Sequence, residues 1–138
     1  MVRYDVTIDI RESREAEWVR YMLDGHIRSV LDTGCFLSFD FHKVREVPEA
    51  KRQKPLQAGF ARYVVEYKCE SMDDYQRYID IHADRLRKEH IALFENDFEA
   101  ERSVVKVTDV VAEVYYGAHE TDNSDPTLDR VREELQLQ

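Results

Sequence analysis

Phe60-Ala61-Arg62-Tyr63-Val64-Val65-Glu66-Tyr67-Lys68-Cys69-Glu70-Ser71-Met72-Asp73-Asp74-Tyr75 changes period in its middle. Up to Cys69 the residues alternate. Tyr63, Val65, Tyr67 and Cys69 share one side, with Arg62, Glu66 and Lys68 on the other, which is the period of two of a half-buried strand. Ser71-x-x-Asp74 then reads as a capping-box variant, with Asp where Glu or Gln is usual, and opens a helix to about Phe94. At ~100° per residue the apolar stripe of that helix is Met72, Tyr75, Ile79, Leu86 and Leu93.

Outward toward the N-terminus the same order occurs once more. Residues 2–11 alternate strictly, Val2, Tyr4, Val6, Ile8 and Ile10 against Arg3, Asp5, Thr7, Asp9 and Arg11. Ser13 is the expected N-cap of the helix that follows, and Glu15 and Glu17 suit the positive end of its dipole. That helix runs to about Asp32 and stops at Gly34, a left-handed C-cap. Trp18, Val19, Met22, Leu23, Ile27 and Val30 occupy one half of its wheel. A strand from Cys35 to about Val44 follows, with Cys35, Leu37, Phe39 and Phe41 on its dry face and Ser38, Asp40 and His42 on the other. Residues 45–58, with two prolines and mixed charge, read as a loop. The last strand lies between Phe98 and Val107, its facing ambiguous because Val104 and Val105 are adjacent.

The order β-α-β-β-α-β has one common compact solution, the ferredoxin-like α+β arrangement: an antiparallel four-stranded sheet with both helices on one face. Right-handed crossovers put the helices on the side of Tyr4, Val6 and Ile8. The opposite face carries Arg3, Asp5, Asp9, Asp40, His42, Arg62, Glu66 and Lys68, and can stay wet or meet a second copy through compensating charge pairs. A homodimer is the expected assembly, since closing two sheets together also protects their edges. The domain spans 1–107. Residues 108–138 form an extension in which 108–116 favour an extra strand and the acidic remainder is a tail or a short helix opened by Asp125-Pro126.

Composition limits what this fold is for. The chain of 138 residues has a net charge of -9, which disfavours nucleic acid and anionic membrane surfaces as partners. No apolar run approaches the ~18 residues of a membrane span. The first residues enter a strand directly, without the apolar segment of a signal peptide, and two Cys suit a reducing compartment, so a cytoplasmic protein is expected. Four Gly leave no Gly-rich phosphate loop, and no cofactor is expected.

Two stretches carry a resemblance. The first is Gly25-His26 followed by Val30-x-x-Thr33-Gly34-Cys35-Phe36. The second is Tyr67-x-Cys69-Glu70-Ser71-x-x-Asp74-Tyr75-x-x-Tyr78-x-x-x-His82-Ala83-x-x-Leu86-x-x-Glu89-His90-x-x-x-Phe94. Together they resemble the family known as domain of unknown function 4286, which is similar in fold to the dimeric α/β-barrel superfamily. Members of that superfamily include small monooxygenases, isomerases, decarboxylases and heme-degrading enzymes. The resemblance implies the fold and the dimer, and no particular activity.

Three histidines fall on the apolar stripes of the helices. His26 lies between Met22 and Val30, and His82 and His90 lie within ~50° of the second stripe. All three are expected in the layer between helices and sheet, where Tyr4, Tyr63 and Tyr67 also point. Inward histidines of this kind need an explanation, and three readings compete. One is a small-metabolite pocket lined by Tyr4, His26, Tyr63, Tyr67, His82 and His90, with His26 or His82 as a general base and a tyrosine such as Tyr63 orienting the substrate. Another is a non-catalytic interaction module whose His/Tyr network serves packing alone. The third is a tetrahedral zinc site from Cys35, Cys69, His26 and His90, although no CxxC or HExxH spacing supports it.

Overall fold

Strand alternation translates directly into sheet. In the computed structural model, which describes residues 1–45 and 54–107, four strands pair antiparallel in the order β2-β3-β1-β4. They are β1 (Val2–Arg11), β2 (Ser38–Lys43), β3 (Phe60–Cys69) and β4 (Phe98–Lys106). β1 sits in the middle, with Tyr4 opposite Tyr67 on one side and Val104 on the other. The first helix comprises α1 (Glu15–Tyr21), a π turn at Met22–His26 and α2 (Ile27–Asp32). The second comprises α3 (Met72–Tyr78), a π turn at Ile79–Ala83 and α4 (Asp84–Phe94). The fold is the ferredoxin-like α+β arrangement. The extra strand expected over 108–116 and the tail lie outside the described residues.

Local chemistry sets the helix ends. The Ser71 hydroxyl accepts the Asp74 backbone N–H at 3.2 Å, the expected N-cap, and donates to the Asp74 carboxylate at 3.1 Å, in place of the bond from the Ser71 backbone N–H that completes a capping box. Gly34 takes φ 76° just past Thr33, a left-handed stop that a side chain disfavours. Ser13 does not cap the first helix; Glu12–Arg14 form a 3₁₀ turn and α1 begins without a side-chain cap. Arg14 ties the two helices instead. Its guanidinium donates to Asp97 at 2.8 Å, to Glu17 at 2.9 Å and to the Leu93 carbonyl near the end of α4 at 3.1 Å.

The π turns displace the helical faces. Each adds one residue to a turn, so whatever follows arrives roughly 100° further round than an unbroken α-helix would place it. On the second helix the buried set becomes Tyr78, Ala83, Leu86, His90 and Phe94. Leu93, expected on the stripe, is 50% exposed; Met72, also expected there, is 40% exposed at the first turn, ahead of the π turn. On the first helix Trp18, Met22, Ile27 and Val30 are buried, while Leu23 faces out.

At the sheet edge, β2 starts later than expected. Cys35 and Phe36 are buried before the strand begins, whereas Leu37 and Phe39 stay exposed because the helices cover β1 and β3 and not this edge. On the far side of the sheet, Asp9 and Arg62 stand opposite one another and are buried together. Arg62 donates to both carboxylate oxygens, Nε to Oδ1 at 2.7 Å and Nη2 to Oδ2 at 2.8 Å. This part of the charged face is therefore dry.

Candidate functional site

The helix–sheet layer leaves a small cavity over β1. A largely enclosed cavity of about 20 Å³, room for a water or two, is bounded by Tyr4, Val6, Ile8, Met22, His26, Val65, Tyr67, Tyr78, Arg87, His90 and Arg102. The π turn at Met22–His26 delivers His26 to it, and the phase shift in the second helix delivers His90. π turns recur at functional sites because they break the regular presentation of side chains.

The His90 tautomer is fixed by its neighbour. The Trp18 indole, fully buried, donates Nε1–H to His90 Nε2 at 2.9 Å. An indole nitrogen is only a donor, so Nε2 must be the acceptor and the ring proton sits on Nδ1. Burial first, then the His26 ring and Arg102, push His90 down to about 3. His90 is thus a neutral imidazole whose one lone pair is already engaged. The ring also stacks on Phe98 at 4.0 Å between centroids.

His26 lies 5.3 Å from His90, centroid to centroid. Its Nδ1 shares a 3.3 Å hydrogen bond with the Tyr21 hydroxyl. Burial, followed by Arg102, lowers His26 to about 4. The Tyr21 hydroxyl is pushed up by burial and then by the nearby Glu89 carboxylate. Among the described residues no side-chain nitrogen or oxygen is both buried and unpartnered. The second nitrogen of each ring, His90 Nδ1 and His26 Nε2, has no hydrogen-bond partner among the described residues, and both rings border the cavity.

Two guanidinium groups complete the lining. Arg87 Nη2 donates to the Tyr4 hydroxyl at 3.0 Å, which orients that phenol. Arg102 stands opposite Val6 in the sheet register, so it shares the helix-facing side of β4 with Val104. Sequence periodicity missed both arginines: Arg87 reads as part of a solvated helix face, and Arg102 lies on the strand whose facing was ambiguous.

Other expected site residues lie elsewhere. His82, half-buried, borders an open groove with Ser29, Asp32, Thr33 and Arg85 on the helix side away from the cavity. Tyr63 faces the helices as expected but is engaged at the far end of the layer. Its hydroxyl donates to Glu15 Oε2 at 2.6 Å and its ring packs on Trp18 at 5.1 Å. Burial and then Glu15 push the Tyr63 phenol up to about 12. The thiols of Cys35 and Cys69 donate to the carbonyls of Thr33 and Ser71. Among the described residues no three His, Cys, Asp or Glu side chains are placed to hold a metal ion, so the Cys35, Cys69, His26 and His90 set is not assembled. Tyr4, Tyr67, His26 and His90 are brought together; His82 and Tyr63 are not.

The Trp18–His90 bond gives a direct expectation. Trp18→Phe keeps most of the packing and removes the donor, leaving a buried imidazole lone pair unsatisfied, which costs about 1–3 kcal/mol. Urea unfolding measures it, and a loss below about 0.5 kcal/mol contradicts the assignment.

The architecture recurs in solved structures. A protein of Arabidopsis thaliana superposes with TM-score 0.58 at 15% identity, covering 81% of this chain and all of its own. HapK from Hahella chejuensis gives 0.56 at 12%, covering 83% and 100%. A dimeric ferredoxin-like protein from an uncultured marine organism gives 0.53 at 17%, covering 83% and 99%. At these identities the likeness is one of fold. No curated protein matches the chain in sequence. The model of one family, described as Domain of unknown function (DUF4286), matches residues 1–108, and the chain belongs to that family.

Proposed function

We propose that this protein is a homodimer whose helix–sheet layer binds a small molecule at His26 and His90. The observation that carries this reading is the pair of adjacent neutral imidazoles bordering the cavity, each tied through one nitrogen and each with its second nitrogen unpartnered among the described residues. A network built for packing alone has no reason to keep those two nitrogens available. The site is suited to binding before catalysis: His90 has no spare lone pair, and His26 at about 4 lies well below the value that makes an efficient base near neutrality. The long side chains of Arg87 and Arg102 bound the cavity, so a ligand larger than water requires them to move.

Support for the dimer comes from the other face of the sheet. Lys68 and Arg3 stand opposite one another across β3 and β1. The next row along the strands sets Asp40, Glu66 and Asp5 across β2, β3 and β1. Within one copy Arg3 already bonds Asp5 at 2.9 Å; a two-fold axis running along the rows between these two also lays the basic row of one copy over the acidic row of the other, an isologous contact. Asp40 facing Glu66 is unfavourable in a lone sheet, and such a partner relieves it. Sedimentation at micromolar concentration is expected to give a dimer; a monomer contradicts that half of the reading.

A thermal-shift screen of metabolites, run on the wild type and on His26→Phe, tests the pocket. At a hundred times its Kd a ligand adds about 2.7 kcal/mol of stability, which the variant is expected to lose. The small cavity favours a second reading, a structural His/Tyr network. If no metabolite at millimolar concentration raises the wild-type melting temperature, and His26→Phe is destabilised, that network is the better account.

A further inference from the structure

We propose that the ligand of this cavity is a small carboxylate, held by Arg87 and Arg102 with its remaining polar atoms directed at His90 Nδ1–H; this rests on the pocket reading above. The first argument is charge. The chain has 29 acidic residues against 20 Lys and Arg, yet two arginines and no carboxylate bound the cavity.

The second argument is pairing. Arg3, Arg11, Arg14, Arg62 and Arg77 each sit within salt-bridge distance of an acid. Among the described residues Arg87 and Arg102, like Arg20, Arg28 and Arg85, have no such partner, and of these Arg87 and Arg102 border the cavity. Arg87 makes one bond, to the neutral Tyr4 hydroxyl, although a guanidinium has five N–H donors. The charge of Arg102 reaches into the cavity, where it disfavours protonation of both imidazoles and helps keep the Tyr75 and Tyr78 phenols from rising further.

The third argument is the balance of donors. His90 Nδ1–H, the hydroxyls of Tyr4, Tyr67 and Tyr78, and two guanidinium forks are all able to donate into the same space. A ligand made chiefly of acceptors matches this set. A planar two-oxygen anion fits a guanidinium fork.

Acetate and acetamide, equal in size and different in charge, separate the charge claim from the pocket claim. The intact chain is titrated with each at constant ionic strength while the Trp18 indole N–H and the His26 and His90 ring signals are followed by NMR. Acetate is expected to shift these signals saturably in the millimolar range, at least tenfold more tightly than acetamide. Arg102→Gln, at an exposed strand position, is expected to weaken acetate tenfold or more, with Arg102→Lys recovering part of the loss. Equal binding of both probes overturns the carboxylate and leaves the pocket standing, as does binding of neutral metabolites alone in the screen. Acetate binding unchanged in Arg102→Gln also overturns it. If neither probe binds and the screen yields nothing, both readings fall together.

Discussion

Acidification from pH 7 to pH 4 is expected to destabilise this domain by several kcal/mol, because two imidazoles that are neutral when folded become free to protonate when unfolded. The folded values of His26 and His90, about 4 and about 3, lie below the ordinary ~6.5. Between ~6.5 and the folded values the unfolded chain binds more protons than the native one, so stability falls as pH falls, by up to about 1.4 kcal/mol per pH unit for each ring. His90 is buried and contributes about 3 kcal/mol by pH 4; His26, half-buried, contributes less because solvent screens it. The carboxylates of Glu15 and Asp97 are held below their usual values by Lys43 and by Arg14. Their contribution is fully present above the ordinary carboxylate range and is lost only below ~4.5, so the window from 6.5 to 4.5 belongs to the histidines. Urea unfolding across that window is expected to show a positive slope that His90→Leu lowers by more than half. A flat profile between pH 7 and pH 5 contradicts the burial of neutral rings.

Asp9→Leu is the second large effect. It leaves the Arg62 guanidinium, 3% exposed, with its charge buried and its two-pronged partner gone. Breaking a buried pair from one side costs about 3–5 kcal/mol, whereas replacing both partners with apolar groups is often neutral. Asp9→Leu alone is therefore expected to lose most of that amount, and Asp9→Leu with Arg62→Leu to return to within about 1 kcal/mol of wild type. A single variant within 1 kcal/mol of wild type shows that the pair is solvated after all. The register explains why these residues meet: β1 and β3 set them opposite each other, at a place where the charged face of the sheet is dry.

The order of elements was legible because the hydrophobic period switches cleanly, from two through Cys69 to 3.6 after the Ser71 cap. The same periodicity identified Tyr4 and Tyr67 on the helix-facing side of the sheet, and His26 and His90 near the helical stripes. It failed for His82 and Leu93. A wheel drawn at a constant angle does not know about the π turn at Ile79–Ala83, after which Ala83, His90 and Phe94 face inward. Tyr63 shows a different limit, since alternation assigns a face and not a position along it; it lies inward but against Trp18 and Glu15. Arg87 and Arg102 were invisible for a third reason. A long side chain with a charged head can reach a cavity from the margin of a helix or from an edge strand, and the phase of its backbone does not say where the head goes.

The neutral, tautomer-fixed imidazole pair is the claim on which the site depends, and long-range ¹H–¹⁵N NMR of the histidine side chains measures it directly. The expected spectrum shows His90 as the Nδ1–H tautomer with Nε2 unprotonated, and neither His26 nor His90 titrating above pH ~5. A His90 ring carrying its proton on Nε2, or either ring titrating near 6.5, contradicts the account.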